Sequence, residues 1–279
     1  MKQITFSQVI NAPAEKVWFC MWNKPNYENW TSVFSEGSFA LSDWNKDSKV
    51  HFLMPKGDGM FSEITEMIPN QQMSFHHLGE IKNFIEQDIN NEWTDSEESY
   101  YLTEEKGNTT LKAVLKIDDK WQNFFDTTFP KALEKIKDDA ENGNIKFITV
   151  QSIVDKPIEE VWQKYTQPED IVNWNFASDD WHCPKASNEI KTGGKFAYTM
   201  EAKDGSMGFD LEGTYTEVIP LKKLAFNLED GRKVWTEFVD FNGKTLILGS
   251  FEPEQTHSVF MQRDGWQAIL NNFKKYCNN

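Results

Sequence analysis

Met261-Gln-Arg-Asp-Gly-Trp-Gln-Ala-Ile-Leu-Asn-Asn-Phe-Lys-Lys-Tyr-Cys277 is the stretch from which the fold can be read. Trp266, Ile269, Leu270, Phe273 and Tyr276 recur at three- and four-residue steps, the stripe of an amphipathic helix resting on something apolar. Between Lys195 and Phe251 nearly every segment alternates with period two, so the apolar partner is a sheet. A long helix clasped by a curved antiparallel sheet leaves room for a cavity. Gly265 costs a helix interior about 1 kcal/mol relative to Ala. It is therefore expected at a close approach to the strands or in a frayed first turn.

Upstream, the chain repeats itself. Ile4-Thr-Phe-Ser-Gln-Val-Ile-Asn-Ala-Pro-Ala-Glu-Lys-Val-Trp18 aligns without a gap with Ile148-Thr-Val-Gln-Ser-Ile-Val-Asp-Lys-Pro-Ile-Glu-Glu-Val-Trp162, and the match continues to Asn29-Trp30 against Asn173-Trp174. Thr65-Glu-Met-Ile-Pro69 followed by Phe75 returns as Thr216-Glu-Val-Ile-Pro220 followed by Phe226. Two copies with so long a period make a tandem pair and not a solenoid. The copies are expected at residues 1–142 and 146–279, joined through the polar, Gly-containing Glu141-Asn-Gly-Asn144.

Each copy opens with an alternating strand, Gln3 to Ile10 and Phe147 to Val154. Pro13 and Pro157 then stand at helix starts, where a missing N–H costs nothing. In the second copy Phe196, Tyr198 and Met200 share a strand face, Phe209, Leu211, Gly213 and Tyr215 alternate in the return strand, and the Asp230-Gly231 and Asn242-Gly243 pairs read as hairpin turns. The first copy follows more loosely, with strands near 49–54, 60–68, 72–78, 99–103 and 110–117. Its closing helix, about Asp119 to Ala140, carries Trp121, Phe125, Phe129, Leu133 and Ile136, with Pro130 expected to kink or interrupt it. The acidic stretch Glu80 to Trp93 has no counterpart in the second copy and reads as a surface excursion over one end of the sheet. Trp30 and Trp174 read first as core residues.

The chain has 279 residues, is 39% hydrophobic and 26% charged, and is rich in aromatics, with 21 Phe and 11 Trp. Its formal net charge is −15. Residues 1–144 hold 14 Lys, no Arg and 24 acids, a balance of −10, and the remainder carries −5. Such a surface repels phosphate backbones and anionic lipid, which argues against nucleic-acid binding. No stretch approaches the roughly 18 apolar residues of a membrane span, so no membrane insertion is expected. Cys20, Cys183 and Cys277 are widely spaced and contain no CxxC pair, and no apolar signal core follows Met1. These features place the protein in a reducing cytoplasm with free thiols.

Ala12-Pro-Ala-Glu-Lys-Val-Trp18, Phe75-His-His-Leu-Gly-Glu80, Gly193-Gly-Lys-Phe196, Phe209-Asp-Leu-Glu-Gly-Thr-Tyr215 and Gln262-Arg-Asp-Gly-Trp266 resemble the Hsp90-ATPase-activator-homologue branch of the START/Bet v 1-like (SRPBCC) superfamily. The resemblance covers both copies and is clearer in the second. It implies an α+β fold: two tandem helix-grip domains, each a curved seven-stranded antiparallel sheet wrapped around a long C-terminal helix. It does not imply one activity, because relatives include lipid carriers, cyclases, hydrolase-like enzymes, stress proteins and chaperone regulators.

No GxSxG, HExxH, P-loop or Rossmann glycine pattern occurs, so no catalytic residue, cofactor or metal is assigned. Asp179-Asp-Trp-His-Cys183 offers several ligand types but no second cluster, and reads as a polar loop at a cavity mouth. His76 and His77, adjacent in a strand, must point to opposite faces. The residues expected to bind a ligand are Trp174, Trp181, Phe196, Tyr198, Met200, Phe209, Tyr215, Phe226, Trp235, Arg263 and Trp266, with the pocket retained by the more regular second copy. Arg232 and Arg263 are the chain's two arginines and, with Glu237 and Asp240, would either form surface ion pairs or orient a ligand's polar head. Three functions stay open: a non-catalytic binder of a small hydrophobic or amphipathic molecule, an interaction module for a chaperone, and an enzyme on the same scaffold. The last requires a carboxylate or His of shifted pKa inside the pocket.

Overall fold

The computed structural model describes residues 1–89, 96–143, 145–241 and 243–279. The chain forms two compact units, Met1–Asn144 and Ile145–Asn279. In the first, β1 (Lys2–Ile10) leads to α1 (Ala14–Trp22) and α2 (Lys24–Thr31). The strands β2 (Phe39–Ser42), β3 (Lys49–Leu53), β4 (Gly59–Ile68), β5 (Gln72–Lys82), β6 (Ile85–Glu86), β7 (Glu97–Glu105) and β8 (Asn108–Ile117) follow, and a single 3₁₀ turn at Asp119–Trp121 enters α3 (Gln122–Asn142). The sheet is antiparallel in the order β1-β8-β7-β5-β4-β3-β2, with β6 paired to β5.

The second unit repeats the plan with β9 (Ile148–Val154), α4 (Ile158–Thr166), α5 (Pro168–Ile171), β10 (Trp181–Asn188), β11 (Lys195–Ala202), β12 (Gly208–Ile219), β13 (Lys223–Leu228), β14 (Lys233–Phe241), β15 (Lys244–Phe251) and α6 (Val259–Asn278). Its order, β10-β11-β12-β13-β14-β15-β9, is the same path traced from the other edge. The fold is thus α+β, two tandem helix-grip units.

Repeated residues do repeated work. The indole N–H of Trp30 donates to the Met21 carbonyl at 2.9 Å and that of Trp174 to the Lys164 carbonyl at 3.2 Å, pinning each second helix to the first. Thr109 Oγ1 donates to the Ala12 carbonyl and Thr245 Oγ1 to the Lys156 carbonyl, holding the turn before each first helix. The Thr-Glu-x-Ile-Pro motif marks a β-bulge: pairing skips Thr65 in β4 and Thr216 in β12. The residues after the two prolines, Asn70 and Leu221, both take positive φ, 63° and 62°.

Each closing helix buries the expected stripe: Phe129, Leu133 and Ile136 in α3, Leu270 and Phe273 in α6. Phe129 stacks on Phe6 at 5.0 Å and Trp266 on Phe251 at 4.3 Å. Several expectations need correction. Pro130 does not interrupt α3, whose assignment runs through it, because apolar burial on either side outweighs the roughly 3 kcal/mol a helical proline costs. Trp121 is 46% exposed and lies outside the stripe. Of the expected Asp179–Cys183 loop only Asp179 and Asp180 lie in a turn; Trp181, His182 and Cys183 open edge strand β10, where Pro184 coincides with a break in register between His182 and Lys185 and is tolerated for that reason. The acidic excursion begins as an extension of β5 hairpinned onto β6, and its end around Trp93 lies outside the described residues. So do Asn144 of the linker and Asn242 of the last hairpin turn.

Gly265 meets neither expectation. It sits within α6, and a Cβ built there meets nothing within 4 Å. With free space and no positive φ, Gly265→Ala should stabilise the second unit by about 0.5–1 kcal/mol. A urea midpoint unchanged or lowered would contradict this reading.

Candidate functional site

In the second unit the expected ligand residues separate into different environments. Phe196, Tyr198, Tyr215 and Phe226 form one ring cluster with centroids 4.8–5.9 Å apart, and the Tyr215 hydroxyl donates to Asn188 Oδ1 at 2.8 Å. Met200 is buried on the same strand face. Phe209 is 54% exposed, with Trp181 beside it at 5.9 Å. Trp174 is a core anchor packed on Tyr165 and Phe273.

Trp235 is displaced from the expected wall. Thr236 and Phe238 face α4, where Tyr165 meets both, so the intervening register puts Trp235 on the opposite face of the sheet against Phe147. Trp266 covers Phe251, as above. Arg263 lies one turn before Trp266 on the same stripe of α6, and burial lowers its pKa while the charge of Asp264 opposes that shift. Arg232 pairs with Asp230 at 2.7 Å, and Glu237 and Asp240 are exposed on β14, so these three are surface charges.

The first unit, expected to be the structural partner, holds a cavity of about 440 Å³. Its walls come from α1 (Trp22), α2 (Tyr27, Trp30), the following loop (Phe34), β3 (Phe52), β5 (Phe75) and α3 (Phe124, Phe125, Phe129). The rings interlock: Trp22 lies 5.7 Å from Phe75 and 5.2 Å from Trp44, and Phe34 lies 5.3 Å from Phe129. Trp22 is 4% exposed and its indole N–H has no acceptor among the described residues. A buried donor left unpaired costs about 1–3 kcal/mol, so this position can reward a bound acceptor.

Polar groups enter the aromatic wall from β5 (His77) and β7 (Glu98), each backed by a neighbour behind it. Ser62 Oγ lies 2.8 Å from His77 Nδ1, His77 Nε2 lies 3.7 Å from Glu98 Oε2, and the Tyr100 hydroxyl donates to Glu98 Oε1. Burial pushes His77 down to about 4 and Glu98 up to about 7, the latter against the opposing hydrogen bond from Tyr100. Both shifts favour the neutral forms, and 3.7 Å exceeds a hydrogen bond. The two side chains are neighbours across the cavity wall and not a formed ion pair. They nonetheless meet the condition set for chemistry on this scaffold, a shifted carboxylate and His among the lining residues.

Register identifies what the second unit has in their place. Phe75 pairs with Glu98 and Met73 with Tyr100, while Phe226 pairs with Val234 and Leu224 with Thr236. Glu98 therefore corresponds to Val234, and His77, two residues beyond Phe75, to Leu228. A further register shift between Phe61 and Ser62 skips Leu78 beside His77, and β12 and β13 have no such shift there. Sequence reasoning separated His77 from His76 but could not bring Glu98 beside it, since the acid arrives from a strand 21 positions away.

All three cysteines are free and buried, and burial raises Cys20 to about 12, which makes it an inert thiol. Among the described residues no helix is long and apolar enough to cross a membrane.

A family model described as Activator of Hsp90 ATPase homolog 1-like protein matches residues 155–278. Among solved structures, the AHSA1-like protein from Aeromonas hydrophila is 40% identical, with 47% of this chain and 90% of that one covered and a TM-score of 0.45. Chr148 from Cytophaga hutchinsonii is 45% identical over 48% of this chain and 92% of its own, with a TM-score of 0.44. The di-domain ARO/CYC BexL from the BE-7585A biosynthetic pathway is 13% identical over 100% of this chain and 99% of its own, with a TM-score of 0.41. No curated protein matches. With the family model on its second half and 40% identity across nine-tenths of a relative's length, the chain belongs to the activator of Hsp90 ATPase homologue 1-like family.

Proposed function

We propose that the protein binds a small hydrophobic or amphipathic molecule in the cavity of its first unit. The observation that carries this reading is the cavity itself, about 440 Å³ and walled by aromatic and aliphatic side chains with polar and charged groups among them, the usual make-up of a small-molecule site. Aromatic walls supply affinity through area and ring contacts, and the scattered polar groups set orientation.

N-phenyl-1-naphthylamine, a neutral probe that fluoresces on entering apolar surroundings, should bind the full chain. Ser38→Trp, which places an indole among the lining residues, should weaken that binding at least about tenfold by filling the space. Equal binding to both proteins would place the probe elsewhere and remove the cavity from consideration. A second reading, acid–base chemistry on the bound molecule, is favoured by Glu98 and His77. Screening metabolite pools by native mass spectrometry separates the two: a molecule retained unchanged supports a carrier, and conversion during incubation supports catalysis.

A further inference from the structure

We propose that the first unit's cavity selects an organic cation, an amine or quaternary ammonium carried on a hydrophobic body. This deepens the binding reading above and rests on it. Four of the charged side chains lining the cavity are acids, Glu80, Glu97, Glu98 and Asp118, against one lysine, Lys120. The whole unit carries −10, so the field at the cavity draws cations and repels carboxylates and phosphates.

Glu98 makes the selection local. Its side chain is 17% exposed and is set among aromatic rings, and among the described residues His77 is the basic group within 4 Å of it. His77 cannot neutralise it well: Nδ1 is engaged by Ser62, Nε2 stands 3.7 Å away, and burial disfavours the imidazolium. The carboxylate therefore lacks a cation, and a buried charge without one is unstable. Tyr100 holds one oxygen, Oε1, leaving Oε2 to meet an incoming group. Trp22, Tyr27 and Phe75 are among the lining residues, and aromatic enclosures favour ammonium groups through the ring quadrupole. In the second unit the corresponding positions, Val234 and Leu228, carry no charge, so the preference belongs to the first unit alone.

The titratable groups facing Glu98 are Tyr100 beside it on β7, His77 on β5 and Tyr27 on α2, which feels the Glu98 charge; burial keeps both tyrosines protonated and His77 neutral, so the pH response is that of Glu98. Glu98 gains its charge as pH rises through about 7. Cation binding should strengthen across that interval, and binding of a neutral molecule should not.

Three probes with one body and different heads test this by calorimetry on the full chain: (naphthalen-1-ylmethyl)trimethylammonium, 1-naphthalenemethanol and 1-naphthaleneacetate. At pH 8 the ammonium should bind at least about tenfold tighter than the alcohol, with the carboxylate weakest. At pH 5.5 that preference should shrink several-fold, and in Glu98→Gln the ratio of ammonium to alcohol affinity should fall toward one. The wild-type pH series keeps the test decisive should the variant fold poorly. Alcohol and ammonium binding alike at pH 8, or a ratio untouched by Glu98→Gln, overturns the charge selection and leaves the hydrophobic cavity standing. Failure of all three probes to bind overturns both.

Discussion

Glu98→Gln should stabilise the first unit by about 3 kcal/mol at pH 8 and leave it unchanged near pH 4, taking 1.36 kcal/mol per unit of pKa difference. Burial holds the folded carboxyl near 7 against an ordinary 4.5. A raised folded pKa means that the unfolded chain ionises first, so stability is full below 4.5 and declines until pH passes about 7. Gln removes the charge while keeping an oxygen for the Tyr100 hydroxyl. His77 works with the opposite sign: its folded pKa is lowered from 6.5 to about 4, so its contribution is full above 6.5 and is lost as pH falls through 4. Between 4.5 and 6.5 the two slopes oppose and nearly cancel. Urea midpoints of wild type and variant at pH 4, 6 and 8 measure the effect, and a variant no more stable than wild type at pH 8 would show that Glu98 is well solvated. A protein that gives up stability at neutral pH to keep a carboxylate among aromatic rings gains a charge that a bound cation can use.

Phe129→Ala should cost about 3–5 kcal/mol, the range for removing a fully enclosed phenylalanine. Phe129 is 2% exposed and touches rings from three other directions: Phe6 on β1 at 5.0 Å, Phe34 after α2 at 5.3 Å and Tyr100 on β7 at 6.4 Å. It also lines the cavity, so the deletion enlarges a space that already exists. Neighbouring rings held by the sheet cannot all collapse into it. Thermal and urea unfolding should report the loss in the first unit's transition, and a cost under about 1 kcal/mol would mean that the grip helix is held mainly by its other contacts.

The distribution of legible and illegible features follows from the range of the forces involved. Period-two strands, the 3.6-residue stripes of α3 and α6, Pro13 and Pro157 at helix starts and the doubled Thr-Glu-x-Ile-Pro bulge are local, each set by a few consecutive residues. The edge strand β10 is hidden in the sequence because Pro184 argues against a strand until pairing on a single side is known. Period-two reading alone leaves Trp235 on the wrong face, because a one-residue error of phase reverses every side chain in a strand. Its true face is set by Thr236 and Phe238 meeting α4.

Sequence alone determined the duplication, the α+β helix-grip plan of each half and the apolar face of each closing helix, because those are written in spacing and repetition. Tertiary structure decided that the first half encloses a cavity and which charges line it. Glu98, His77 and Tyr100 are ordinary letters on separate strands until antiparallel register sets them side by side. Burial among rings, a property of no single residue, then shifts their protonation and gives the cavity its chemistry.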